Sequence, residues 1–86
     1  MPNDNPTAAQ INAHFSAMND SVNLINATVA DDSDALATQT AEEVKRMVTR
    51  NTDHLEWQLG RDWAIADGRS KTAYTDAITA GKAYVG

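Results

Sequence analysis

The chain contains no cysteine, which removes disulfides, cysteine-based zinc sites and thiol nucleophiles from consideration. From Thr7 to Leu59 it also contains neither glycine nor proline, and a stretch without these breakers predicts long helices. Lysine and arginine are missing from residues 1–43, which hold seven acids. Residues 44–86 hold seven bases and five acids, so the halves carry −7 and +2 and the chain −5. Phosphate recognition needs clustered Lys and Arg, so this balance argues against nucleic acid and against an anionic membrane surface. No segment approaches the roughly 20 apolar residues of a membrane span. The opening residues Met1-Pro2-Asn3-Asp4-Asn5 show neither a basic region nor an apolar run, so no secretion signal is expected. Without one, the acceptor patterns Asn19-Asp20-Ser21 and Asn26-Ala27-Thr28 read as chance.

What remains is an 86-residue chain that is 42% apolar, much of it alanine, with only five aromatic residues (Phe15, Trp57, Trp63, Tyr74 and Tyr84). A chain this short makes a marginal lone monomer, and oligomerisation is a common remedy. In the first expected helix, from Pro6 with Asn5 as cap, the apolar residues are Ile11, Phe15, Met18, Val22, Ile25 and Val29. They recur at spacings of 4, 3, 4, 3 and 4, the 3.5-residue repeat of a coiled-coil seam. Two apolar positions per heptad suit such a seam better than the broader stripe of a globular helix. The reading preferred here is therefore an intermolecular coiled coil over an intramolecular hairpin, with those six residues as the oligomer interface.

The acidic stretch Asp31-Asp32-Ser33-Asp34 interrupts the stripe, and a helix break is expected between Asp31 and Thr40. Thr40-Ala41-Glu42-Glu43 is a capping-box pattern opening a second helix over 41–59, with Val44, Val48, Asn51 and Leu55 in register. Asn51 on that seam is a candidate register residue, the alternative being that it faces water. Gly60 ends or kinks this helix. Trp63 and Ile65 predict another helical turn, Asp67-Gly68 a turn, and Ser70 or Thr72 the cap of a short last helix with Tyr74, Ala77, Ile78, Gly81 and Val85 on one face. Gly81 there would let another backbone approach closely. The expected organisation is thus all-α within one small domain. Residues 1–32 form a long helix with a coiled-coil seam, 33–60 a second long helix, and 61–86 a short C-terminal helical cluster packed as a helix-loop-helix. Leu55, Trp57, Leu59, Trp63, Tyr74, Ile78 and Tyr84 are its packing or docking residues.

No constellation for catalysis emerges. His14 and His54 lie on different segments without ligand partners at helical spacing and read as surface histidines; a zinc site needs three or four converging ligands. Taken as a calcium loop from Asp32, the acidic cluster has Ala37 where the sixth-position glycine belongs, and helix capping explains it better. Serines 16, 21, 33 and 70 show no positioned base, and no phosphate-binding glycine loop exists. Arg46, Arg50, Arg61 and Arg69 alternate with Asp53, Glu56 and Asp62 and form no basic stripe. The expectation is a non-enzyme with no cofactor, no metal, no small-molecule substrate, and no nucleic-acid or membrane partner.

The pattern Arg50-Asn51-x-x-His54-Leu55-Glu56, a short gap, then Ala77-Ile78-x-Ala80-Gly81-Lys82-Ala83-Tyr84 resembles small virion structural proteins of tailed bacteriophages. The resemblance covers under half the chain and brings no catalytic residues. It implies a fibre, decoration or head–tail component, assembled in the bacterial cytoplasm and located in the virion, that docks to other virion proteins. Helical fibres of this kind are commonly trimers, so it leans towards a trimer, although the seam residues do not decide dimer from trimer. The competing expectation is a cytosolic acidic helical adaptor, or antitoxin-like regulator, with a heterologous protein partner.

Overall fold

In the computed structural model, which describes residues 6–61, 63 and 67–86, Thr7 and Thr40 open the two long helices by the same device. Thr7 Oγ1 accepts from the Gln10 backbone N–H at 3.1 Å while the Gln10 side chain accepts from the Thr7 N–H at 2.9 Å; Thr40 and Glu43 repeat the exchange at 3.1 and 2.8 Å. Each pair satisfies two of the N–H groups that a helix start leaves unpaired. The helices are α1 (Ala8–Ala30), α2 (Ser33–Thr38), α3 (Ala41–Leu59) and α4 (Thr72–Val85). Thr7 therefore caps α1, two residues later than expected, and the expected cap Asn5 lies outside the described residues. The helical path breaks twice rather than once, at extended Asp31 and again at extended Gln39. Asp31 accepts from the Ser33 N–H at 3.0 Å in the first break. At the start of α4, Ser70 Oγ accepts from the Thr72 N–H at 3.2 Å. Ile65 lies outside the described residues.

The chain is all-helical, with four helices packed together among the described residues. α1, α3 and α4 pack pairwise, and short α2 leans on α3. The core between them holds Phe15, Met18, Ile25, Leu55, Tyr74 and Ala77, with Ile11, Val22, Leu59 and Ile78 packed against it; Val44 and Val48 are fully buried as well. Gly81 explains how α4 comes so close. A Cβ there would collide with the Thr52 methyl and stand 3.3 Å from both Ile25 and Val48. One end of the core is closed by the Arg69 guanidinium, 4.3 Å over the Phe15 ring, with Arg69 held by Asp67.

The six-residue stripe of α1 meets α3 and α4 of its own chain. Phe15, Met18 and Ile25 are at most 1% exposed, Ile11 and Val22 are half-buried, and Val29 is 40% exposed. Exposure rises along the row Phe15, Val22, Val29, while the row His14, Ser21, Thr28 stays buried on the other flank. The buried surface of α1 is thus wider than the narrow apolar seam, and part of it is polar.

Candidate functional site

That polar flank joins α1 to α3 through four side chains. His14 Nδ1 lies 3.0 Å from Gln58 Oε1, Gln58 Nε2 lies 3.1 Å from His54 Nε2, and His54 Nδ1 lies 2.9 Å from Ser21 Oγ. His54 and Gln58 meet because they are four apart on α3, and His14 and Ser21 share a face because they are seven apart on α1. The carboxamide fixes the direction of every bond. Its oxygen only accepts, so His14 Nδ1 donates; its nitrogen only donates, so His54 Nε2 accepts. A neutral His54 then carries its proton on Nδ1 and donates it to Ser21.

Two expectations change here. His14 is 6% exposed, not a surface residue. Ser21 has an imidazole partner, but one that donates to it, so the pair has the opposite sense to a serine activated by a general base. Burial lowers the His14 pKa below 6.5; the Gln58 hydrogen bond works against this, and the charges of Arg61 and His54 add to it. The arrangement is a polar strut of three linked hydrogen bonds between two helices, of the kind that fixes their register. Among the described residues no buried side-chain N or O atom lacks a partner, and no three His, Asp or Glu converge as metal ligands.

Two grooves flank this strut in the α1–α3 seam. Towards the Gly60 end, a groove of about 360 Å³ has Gln10, Ala13, His14 and Ala17 on one wall and Trp57, Gln58, Arg61 and Trp63 on the other. The Arg61 guanidinium stands 4.3 Å over the Trp57 ring and 5.2 Å over the Trp63 ring, and Trp63 packs on His14 at 4.9 Å. Trp57 is 61% exposed, the most exposed large apolar side chain among the described residues. Towards the α2 end, a groove of about 410 Å³ is lined by Leu24, Ala27, Thr28, Ala35 and Met47 together with Asp31 and Asp34.

The remaining residues singled out in the sequence fall into separate places. Asn51 is half-buried and donates to the Met47 carbonyl of its own helix at 2.8 Å, while its neighbour Thr52 takes the inward position at 3% exposure. Leu55 and Tyr74 are core residues, Leu59 and Ile78 line the core, and Trp57 and Trp63 stand on the groove instead. Tyr84 Oη donates to Asp32 at 2.9 Å, tying the end of α4 to the start of α2; that bond also raises the Tyr84 pKa. Arg46 and Arg50 share a further groove with Glu43, far along α3 from Arg61. Gln58 was not singled out, and Ser21 only as a serine without a base. The seven-residue spacing of His14, Ser21 and Thr28 beside the apolar stripe is the signal that marks the polar row.

The fold places the chain in the all-α class. No family model, curated protein or solved structure matches it.

Proposed function

We propose that the chain is a non-enzymatic structural subunit of a tailed-bacteriophage virion, a fibre, decoration or head–tail component, which works by homo-oligomerising and docking to other virion proteins. The observation that carries this reading is how the two halves of the phage-like pattern meet. Gly81 in the second half seats against Thr52 in the first, between Arg50 and Glu56, and Lys82 pairs with Glu56 at 3.0 Å across the same contact. The pattern is thus one packing unit drawn from α3 and α4. His54 of the same pattern anchors the polar strut to α1. These positions hold a small helical scaffold together, and they leave Trp57 outside it, available to another protein.

Mass spectrometry of purified phage particles tests the proposal. The chain is expected in the particle at a fixed ratio to the other virion proteins. Its absence from particles, together with recovery of a specific cytosolic partner in pull-downs, would overturn the virion reading in favour of an adaptor.

A further inference from the structure

Two features of the α1–α3 seam have opposite charges, and one of them carries an exposed indole. At one end stands the Trp57 indole with the Arg61 guanidinium stacked on it. Among the described residues no carboxylate pairs with Arg61. At the other end lies the groove lined by Leu24, Ala27, Ala35 and Met47 together with Asp31 and Asp34. An indole suits the apolar part of that lining, and a guanidinium suits its carboxylates.

The two features also share a face. Ala13 and Ala17 beside the Trp57 end, and Leu24 and Ala27 beside the acidic end, lie on one side of α1; Met47 and Trp57 lie on one side of α3. The step from Ala13 to Ala27 is about 21 Å along the helix at 1.5 Å per residue. An exposed aromatic group carrying a cation and an acid-lined recess, set apart along one face, are what a two-fold interface can pair. If residue i of one copy meets residue j of the other, then j meets i.

We infer that this face pairs with a second copy of the chain in an antiparallel two-fold dimer, each copy seating Trp57 and Arg61 in the other's Leu24–Met47 groove, with Arg61 against Asp31 and Asp34. The inference rests on the homo-oligomeric part of the proposed function and supplies its interface. Charge complementarity selects the occupant: the recess asks for an apolar group carrying a cation, and the same chain presents one. The molecule measures 42 × 20 × 18 Å, so its broad side is of the order of the ~800 Å² per partner that a specific interface covers. The core stripe of α1 takes no part, because it is already inside the chain.

Light scattering at low salt, on the wild type and on exposed-site variants, tests this. The wild type is expected at twice 9.3 kDa. Arg61→Glu and Asp34→Arg should each shift the dimer to monomer, since each sets like charges against each other at both symmetry-related contacts. The double variant Arg61→Glu/Asp34→Arg should dimerise again, and so should an equimolar mixture of the two single variants. Circular dichroism on each variant confirms that the helices remain. A wild type that stays at 9.3 kDa overturns the dimer, and its presence in particles would leave the virion reading standing. An oligomer indifferent to both single substitutions overturns this interface alone. Failure of both the double variant and the mixture to re-form the dimer would show that Arg61 and Asp34 do not face each other.

Discussion

At the scale of single residues, two positions carry more of the architecture than their chemistry suggests. Gly81 lies mid-helix, where alanine would be favoured by about 1 kcal/mol on propensity. Here its missing Cβ is the space that Thr52, Ile25 and Val48 occupy. Gly81→Ala is therefore expected to destabilise the bundle by about 1–3 kcal/mol net, as overpacking does. A lower urea midpoint at unchanged slope would register this, and a raised midpoint would refute the close approach of α4. His14 makes a prediction in pH. Burial holds its folded pKa below the ordinary 6.5, so in the window just below 6.5 the unfolded chain binds more protons than the folded one. Stability then rises with pH through that window and is lost as pH falls below it. Chemical denaturation from about pH 7.5 down to 5.5 should show this loss, and His14→Gln should flatten it. A variant with the wild-type slope would remove His14 from the explanation.

At the scale of elements, the start of α3 was legible and the face of α1 was not. Thr40 and Glu43 announce a capping box in four residues, and the box forms because all its partners are local. Thr40→Ala should cost about 1 kcal/mol. Glu43→Ala should add little on top of it, because both changes break one reciprocal exchange; additive losses in thermal melts would mean that the two bonds act separately. The extent of α3 was equally plain from its cap and from Gly60. For α1, the sequence showed a seam of apolar residues but not the orientation that turns Val29 out and keeps Ser21 and Thr28 in. Which flank of the helix is covered is decided by where α3 and α4 pack against it. The polar strut was hidden for a related reason. Ser21 and His54 are 33 residues apart and His14 and Gln58 are 44 apart, so no local pattern links them. Each looked like an ordinary polar residue on a helix.

At the scale of the whole molecule, one apolar stripe had two possible destinations, another copy or the chain's own interior. In this fold the interior takes it: α3 and α4 close over Phe15, Met18 and Ile25, and Gly81 lets α4 come near enough to do so. The α1–α3 face keeps an exposed tryptophan and an acidic groove on the surface. The substitution Ile25→Asp separates the two destinations. Ile25 is 0% exposed among side chains of α1, α3 and α4, and an unpaired carboxylate there has no compensating partner. Far-UV circular dichroism of Ile25→Asp in dilute solution is the most direct measurement. The single-chain bundle predicts that helicity collapses at a concentration where the wild type is fully helical. A variant that keeps its helices and merely loses its association would place Ile25 between chains and contradict the account.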